Sequence, residues 1–187
     1  TIDLSNIENL TQCIPEVIKK HGAINVFISN AGFGDFKNLE NFSPSQIHAY
    51  FNVNLIAQII ISHYVISHMK KIGTGDIVII GSESAVIGKK KATLYSAAKF
   101  ALRGFSQSLR DEVGSSGIRV CLINPGVVRS PFFDHLNFEP AEHAENAILP
   151  DDVAKIVSEV LNMRRGTIVD EINLSPASKS LNFKSNS

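Results

Sequence analysis

The 187-residue chain lacks the features that mark nucleic-acid-binding, membrane and secreted proteins. Its 18 basic residues balance 18 acidic ones, and no block of like charges forms a tail. A neutral chain of this kind has no overall field that would attract nucleic acid or a membrane surface. Its longest apolar run, at about residues 55–61, is interrupted by Gln58 and is far too short to cross a bilayer. The first residues also lack the pattern of a signal peptide.

Disulfide and metal signatures are missing as well. Cys13 falls in a predicted helix and Cys121 in a predicted strand, so each is expected to be a small buried hydrophobe. Two cysteines in a chain of this length favour a reducing, cytoplasmic location over a disulfide framework. The six histidines are scattered, without H-x-x-x-H spacing or clustered carboxylates, which argues against a metal site.

What is present is an alternation of helix and strand patterns. Residues 5–8 and 43–46 match capping boxes at helix starts, while Gly22 and Gly73 mark helix ends. Pro15 is expected to kink the first helix or to delay its start. The predicted helices cover about residues 5–20, 44–71, 93–113 and 151–163, and the predicted strands cover about residues 24–29, 76–82, 118–124 and 167–174.

This order predicts an α/β fold, in which a parallel sheet is covered by helices on both faces. In an open parallel sheet, ligands bind beyond the carboxyl ends of the strands. The three strand ends of interest are Asn30-Ala31-Gly32, Ser82 and Asn124-Pro125-Gly126. Tyr95 and Lys99 lie on the helix that follows Ser82, one turn apart and on the same face. All of these groups can face one cleft, although an isolated Y-x-x-x-K is more often a surface pair.

The ordered motifs resemble those of the short-chain dehydrogenase/reductases. Ser82 stands thirteen positions before Tyr95, and Tyr95 four before Lys99, and the resemblance extends from Asp3 to about residue 174. Each motif alone is weak, but their order and spacing are specific. The matching segments are NAG at 30–32, NVNL at 52–55, DIVIIGSESA at 76–85, YSAAK at 95–99 and NPGVVRS at 124–130.

The resemblance implies a Rossmann-type doubly wound sheet and a catalytic tetrad. A tyrosine has an ordinary pKa of about 10, and a neighbouring cation such as Lys99 would favour its phenolate. Tyr95 is therefore expected to be the acid/base, with Lys99 tuning it and binding the nicotinamide ribose. Ser82 would donate a hydrogen bond to the substrate oxygen. Asn54 would hold a water that links Lys99 to solvent, and the alternative or additional role is that of a buried structural amide.

The resemblance also implies a cofactor, NAD or NADP, and a substrate lid. Ser84 is a competitor for the role of Ser82, but its spacing fits less well. Residues 131–149 would form the lid, unless they are an ordinary loop whose phenylalanines pack inward. The implied cofactor-binding residues are Asp3, Asn30, Ala31, Gly32, Tyr95, Lys99, Pro125, Gly126, Val128 and Ser130, and the implied substrate-binding residues are Ser82, Tyr95, Phe132 and Phe133.

The chain departs from the family at its start. The glycine-rich turn T-G-x-x-x-G-x-G is absent, and Gly32-Phe33-Gly34 opens no helix and does not replace it. We expect the first βαβ unit, roughly 55–65 residues, to lie upstream. That unit would also decide between NAD and NADP. A truncated, inactive chain is the alternative. Residues 1–174 are expected to form the catalytic domain, and residues 175–187 a polar tail that is disordered after Pro176.

These observations predict an NAD(P)-dependent oxidoreductase that interconverts a secondary alcohol and a ketone of small or medium size. One alternative is a non-catalytic dinucleotide-binding or regulatory protein, because a fold alone does not fix a function. Another is an epimerase or dehydratase of the same family. Helices 44–71 and 93–113 carry more apolar residues than one buried stripe needs, which predicts a homodimer or homotetramer.

Overall fold

A parallel sheet with helices on both faces forms the frame of the protein, as the sequence predicts. The computed structural model describes residues 1–184. The helices are α1 (Ile7–His21), α2 (Pro44–Phe51), α3 (Ala57–Ile72), α4 (Thr93–Val113) and α5 (Pro150–Asn162). The strands are β1 (Val26–Ser29), β2 (Gly75–Ile80), β3 (Ile118–Pro125), β4 (Phe138–Pro140), β5 (Glu171–Leu174) and β6 (Leu181–Phe183).

The main sheet has the strand order β1-β2-β3-β5, and all neighbouring pairs are parallel. Successive residues of a strand point to opposite faces, and β2 uses both faces for the core. Ile77 and Ile79 pack in one apolar cluster with Leu102 of α4. Val78 packs in another, which includes Val157 of α5. The predicted α/β fold class is confirmed, with a near-continuous apolar pattern in the buried strands.

One long helix runs across the sheet. The capping box at Ser43 and Gln46 is present and starts α2, and a π-helical turn over Asn52–Ile56 joins α2 to α3. The combined helix of 29 residues is long and apolar enough to cross a membrane by length and composition alone. Val65 and Met69 of this helix nevertheless pack in the core cluster against the sheet. A core helix meets the same criterion, so the criterion does not identify a membrane span.

The first helix begins differently from the prediction. Its N-cap is Asn6, whose side chain accepts a hydrogen bond from the backbone N–H of Asn9 at 3.0 Å. The predicted capping box at Ser5 is wrong, because the Ser5 hydroxyl and N–H instead donate to the Asp3 carboxylate. Pro15 lies inside the helix without delaying its start. Cys121 is buried as expected, whereas Cys13 on α1 is only half-buried.

Residues 177–184 have defined structure, which corrects the prediction of a disordered tail for this part of the chain. Strand β6 pairs antiparallel with β4, which lies inside the segment predicted to be irregular. The Ala141 N–H donates to the Ser180 carbonyl at 3.1 Å, and the Lys184 N–H donates to the Asn137 carbonyl at 2.9 Å. We call residues 176–184 the C-terminal strap. Residues 185–187 of the predicted tail lie outside the described residues.

Candidate active site

The four predicted catalytic residues meet at one cavity. Asn54, Ser82, Tyr95 and Lys99 all line a cavity of about 660 Å³. It lies at the carboxyl ends of β1, β2 and β3, and we call it the first cavity. The four side chains come from three parts of the chain: Asn54 from the π turn, Ser82 from just beyond the end of β2, and the other two from α4. The fold therefore assembles the cluster that the sequence predicted.

Lys99 is a buried cation. Its side chain lies in the core side of α4, and the residue is only 5% exposed. Its ammonium donates a hydrogen bond to the Ile80 carbonyl at 3.0 Å, at the last residue of β2. Burial lowers the pKa of Lys99 to about 8, because desolvation disfavours the charged form. An ammonium has three donors, and the remaining ones are available to hydroxyl acceptors in the cavity.

Ser82 is held in place from both sides. Its Oγ accepts a hydrogen bond from the Ser84 N–H at 3.1 Å, which leaves the hydroxyl proton available to donate. Its own N–H donates to the Asn124 Oδ1 at 3.2 Å. The neighbouring Gly81 is required for this contact, because a Cβ there would lie 2.1 Å from the same Asn124 oxygen. Ser84 does not line the first cavity.

Asn124 is a positioning residue that the sequence analysis treated only as a strand end. Its Nδ2 donates to the Glu171 Oε1 at 2.9 Å and to the Asn173 Oδ1 at 3.0 Å, while its Oδ1 holds Ser82. One amide thus ties the ends of β2, β3 and β5 together, and it is 1% exposed. The N-P-G sequence at the strand end was the available signal, but the partners on β5 cannot be read from it.

Tyr95 packs between two aromatic rings. Its ring centroid lies 5.2 Å from that of Phe36 and 6.0 Å from that of Phe132. Burial raises the pKa of Tyr95, the nearby Ser82 side chain lowers it and the charge of Glu83 raises it, so that the net shift is upward. The phenol is therefore protonated at neutral pH. No sequence signal singled out Phe36.

The pKa of Tyr95 is shifted upward, whereas the expectation that Lys99 would favour the phenolate implies a downward shift. The Lys99 ammonium lies 5.8 Å from the centroid of the Tyr95 ring and donates to the Ile80 carbonyl. Desolvation of the phenol is the largest influence on its pKa in this arrangement. The protonated form is the one that can give a proton to a substrate oxygen.

Asn54 is fully buried, and its side-chain amide bonds to the backbone. Its Oδ1 accepts from the Phe33 N–H at 3.0 Å, and its Nδ2 donates to the Tyr50 carbonyl at 3.1 Å. Gly32 allows the close approach, since a Cβ there would lie 2.8 Å from the Asn54 Oδ1. The amide thus has the structural role considered as the alternative. π turns are frequent at functional sites, and this one places Asn54 in the cavity wall.

Gln58 is a second positioning residue that the sequence analysis did not identify. Its Nε2 donates to the Ala31 carbonyl at 2.9 Å and to the Asn54 carbonyl at 3.1 Å, while its Oε1 accepts from the Ser29 hydroxyl at 2.7 Å. The side chain is 3% exposed. A buried amide with all these partners fixes the turn after β1 against the long helix. In the sequence it only interrupts an apolar run.

The first cavity fits the nicotinamide half of a dinucleotide. The buried Lys99 ammonium has unused donors that suit ribose hydroxyls, and the Ser130 hydroxyl lies in the same wall. Within residues 1–184, the glycine-rich turn that would hold the pyrophosphate is not present. The predicted cofactor residues in the lining are Asn30, Gly32, Tyr95, Lys99, Pro125, Gly126, Val128 and Ser130.

Two predicted cofactor residues lie outside that lining. Ala31 contributes its carbonyl to Gln58 instead. Asp3 is exposed near the start of the chain, and its hydrogen bonds from Ser5 lower the pKa of its carboxyl. Across the described residues, no group of three or more histidine, cysteine, aspartate or glutamate side chains is placed to hold a metal ion.

A second cavity of about 420 Å³ adjoins the first. Its far wall includes Leu181 and Phe183 of the C-terminal strap, together with Phe36 and Phe138. A substrate carbonyl at the junction of the two cavities would contact both the serine hydroxyl and the phenol. The residues that line both cavities are Ser82, Tyr95, Gly126, Phe132 and Phe133.

The predicted lid combines the two interpretations of residues 131–149. Phe132 is half-buried and lines both cavities, as expected of a lid residue. Phe133 and Leu136 are 8% and 7% exposed and pack with Val127 and Ala147, as expected of a loop that packs inward. The segment is therefore anchored by its own apolar core and presents only part of its surface to the cavities.

Comparison with known proteins agrees with this arrangement. Residues 1–140 match the short chain dehydrogenase family, and the chain belongs to that family. It is 36% identical over 136 residues to a 3-oxoacyl-[acyl-carrier-protein] reductase of Buchnera aphidicola subsp. Acyrthosiphon pisum. The match covers 73% of this chain and 56% of the relative. A second such reductase, of Buchnera aphidicola subsp. Baizongia pistaciae, is 32% identical and covers 97% of this chain and 70% of the relative.

Other relatives and solved structures extend the comparison. A 3-ketodihydrosphingosine reductase of Bacteroides thetaiotaomicron is 32% identical over 73% of this chain and 51% of its own length. The chain thus spans only about half the length of some curated relatives that it matches. The structure of a metagenomic short-chain oxidoreductase in complex with NADP has a TM-score of 0.79 and 25% identity, and the match covers 95% of this chain and 72% of that one.

An alcohol dehydrogenase from the archaeon Thermococcus sibiricus, complexed with 5-hydroxy-NADP, shows the same fold. Its TM-score is 0.83 at 24% identity, with 96% of this chain and 74% of that chain covered. The family, the Rossmann-type fold and, at the level of the family, the cofactor class NAD or NADP are therefore confirmed. The roles assigned to individual site residues stay predictions.

Proposed function

We propose that the protein is an NAD(P)-dependent oxidoreductase that interconverts a secondary alcohol and a ketone. The observation that carries the proposal is the meeting of the Ser82 hydroxyl and the Tyr95 phenol at the junction of two cavities, with the Lys99 ammonium beneath them. One cavity fits a nicotinamide and its ribose, and the other offers a substrate a chamber with an apolar wall. Several relatives are named as reductases or dehydrogenases, which supports the same reaction class.

The chain supplies a proton donor and a hydrogen-bond donor for ketone reduction. When bound, the nicotinamide supplies or accepts the hydride at the substrate carbon. The Ser82 hydroxyl donates a hydrogen bond to the carbonyl oxygen, where negative charge develops, and keeps its proton. Tyr95, protonated because burial raises its pKa, transfers its phenolic proton to that oxygen. Alcohol oxidation runs the same steps in reverse.

Lys99 has two tasks in this scheme. Its ammonium stabilises the phenolate that Tyr95 becomes after it gives up its proton, because an opposite charge nearby favours the ionised form. Its remaining donors orient the ribose, which fixes the nicotinamide against the substrate. With a pKa of about 8, Lys99 is charged at neutral pH and loses its proton in mildly alkaline solution.

The reaction class can be tested with the longest natural protein that contains this chain. NADH and NADPH are supplied in separate assays with a panel of aliphatic and aromatic ketones, and cofactor oxidation is followed. We expect ketone-dependent oxidation of one cofactor and recovery of the matching secondary alcohol. A protein that binds NAD(P)H tightly yet transfers no hydride to any ketone, nor from any secondary alcohol, would instead support the non-catalytic dinucleotide-binding alternative.

We also propose that two copies of the chain associate through α3 and α4. Phe100 on α4 is 44% exposed although it lies on a well-packed helix. Ile59 and Ile60 on the long helix, and Phe105 on α4, are only half-buried. An apolar surface of this kind commonly marks an interface. Light scattering at micromolar concentration should give a dimer or tetramer, and Phe100→Lys should shift it towards the monomer. A monomeric mass for the unchanged protein would contradict the interface.

A further inference from the structure

The second cavity has two chemically different walls. One wall is apolar and is formed mainly by phenylalanines from two segments: Phe36 after β1, and Phe132 and Phe138 in the segment 131–149. The other is a run of lysines, Lys89, Lys90 and Lys91, in the loop between β2 and α4. Lys179 of the C-terminal strap adds a fourth cation to the same lining. Because Ser82 and Tyr95 also line this cavity, both walls border the place where the carbonyl would react.

The charges of this cavity are not balanced locally. Among the described residues, Glu83 is the only carboxylate in the lining, against four lysines. It pairs with Lys89 at 2.7 Å and with Lys179, and these ammonium groups lower its pKa despite its partial burial. Within residues 1–184, no ion pair engages Lys90 or Lys91. The chain as a whole is neutral, so this excess of positive charge is a local property.

The backbone of the lysine run is also unusual. Lys91 has a φ of 64°, and it is the only residue other than glycine with positive φ among those described. A side-chain-bearing residue in this region is strained, and such strain is often retained at functional sites. The turn directs the chain from the lysines into Ala92 and the start of α4, three residues before Tyr95. A glycine would adopt this conformation without the cost.

We propose that the substrate carries an anionic group, joined by an apolar body to the carbonyl or alcohol carbon, and that Lys90 and Lys91 bind this anion. The apolar wall takes the body of the molecule, and the lysines take a carboxylate or a phosphate at its far end. Lys89 and Lys179, held by Glu83, close the chamber beside them. This inference rests on the proposed alcohol–ketone reaction and names its substrate class.

The test compares charged and neutral ketones of the same length. The substrates are 9-oxodecanoate, 9-oxodecyl phosphate and neutral 2-decanone, assayed with the preferred cofactor in the longest natural protein. The variant is Lys90→Gln/Lys91→Gly, in which the glycine suits the positive φ of position 91. The matched control is Lys70→Gln/Lys71→Gln, which removes two exposed lysines at the end of α3, outside both cavities.

We expect the unchanged protein and the control to prefer one of the two anionic ketones over 2-decanone in kcat/KM. The Lys90/Lys91 variant should lose about tenfold of that preference, as expected for two partly exposed charges. The preferred anionic ketone shows whether the substrate carries a carboxylate or a phosphate. The preference should also fall as salt is added, because salt screens exposed charges. Equal preference in all three proteins would overturn the inference.

A binding measurement distinguishes failure of the anion site from failure of the proposed reaction. Decanoate, decyl phosphate and decanol cannot be reduced as ketones, and their affinities are measured by calorimetry on the same three proteins. A protein without ketone reductase activity that binds an anion better than decanol, and loses that difference only in the Lys90/Lys91 variant, would refute the reaction and support the anion site. Active protein with no such difference would refute the anion site alone.

Discussion

The two cavities that meet at Tyr95 are built in different ways. The first is formed at the ends of parallel strands, where buried side chains such as Asn124 and Gln58 hold neighbouring strands and turns by hydrogen bonds. The second is formed by segments far apart in the chain, joined by aromatic packing and by the pairing of β4 with β6. We therefore expect the proposed reaction chemistry to depend on the hydrogen-bonded strand ends, and substrate selection to depend on the packed wall of the second cavity.

Removal of the Ser82 hydroxyl, which lines both cavities, should lower kcat more than any other change in this comparison of the two cavities. Ser82→Ala removes the hydrogen bond to the substrate oxygen, and kcat should fall by about 10²–10³ if the serine acts as an oxyanion donor. Ser84→Ala is the comparison, because the Ser84 hydroxyl does not line the first cavity, and it should lower kcat far less. Steady-state kinetics measure both. Equal losses in the two variants would mean that the wrong serine has been assigned.

The buried cation of the first cavity should give a pH-dependent stability. Lys99 has a pKa of about 8 in the folded protein, against 10.5 ordinarily. Between these values the unfolded chain holds a proton that the folded chain has released, so the free energy of unfolding rises with pH. Relative to Lys99→Met, it should increase by about 1–3 kcal/mol from pH 7.5 to 10.5. Chemical denaturation at several pH values measures this difference.

The Lys99→Met comparison removes the contributions of other titrating groups, which are common to both proteins. A difference that stays constant with pH would show that Lys99 is not desolvated as its burial implies. A difference that falls with rising pH would contradict the sign of the argument.

The strap should affect the second cavity and leave the first unchanged. Leu181 packs on the apolar cluster that contains Phe133 and Leu136 of the lid segment, and of the two cavities it lines only the second. Leu181→Ser should weaken this packing and raise KM for a ketone by about tenfold, with the affinity for NAD(P)H unchanged. Leu39→Ser, at a leucine that is 47% exposed, is the control. An equal loss of cofactor affinity would show that the two cavities are not separate units.

The same contrast explains how much the sequence could predict. The helix over 93–113 and the strand that leads to Ser82 follow from local patterns, and these patterns bring Ser82, Tyr95 and Lys99 to one cleft. The aromatic wall of the second cavity does not follow from local patterns, because Phe36 reaches Tyr95 only through tertiary packing. Strand β6 cannot be predicted from its own sequence, since its three residues depend on pairing with β4 rather than on their own propensity.

The proposed function depends most directly on proton donation by Tyr95. Tyr95→Phe removes only the phenolic oxygen, and Tyr64→Phe on α3 is the matched control. We expect Tyr95→Phe to lower kcat by about 10²–10⁴, while NAD(P)H affinity, measured by fluorescence titration, stays near that of the control. Turnover by Tyr95→Phe at the rate of Tyr64→Phe, with the same ketone and cofactor, would contradict it.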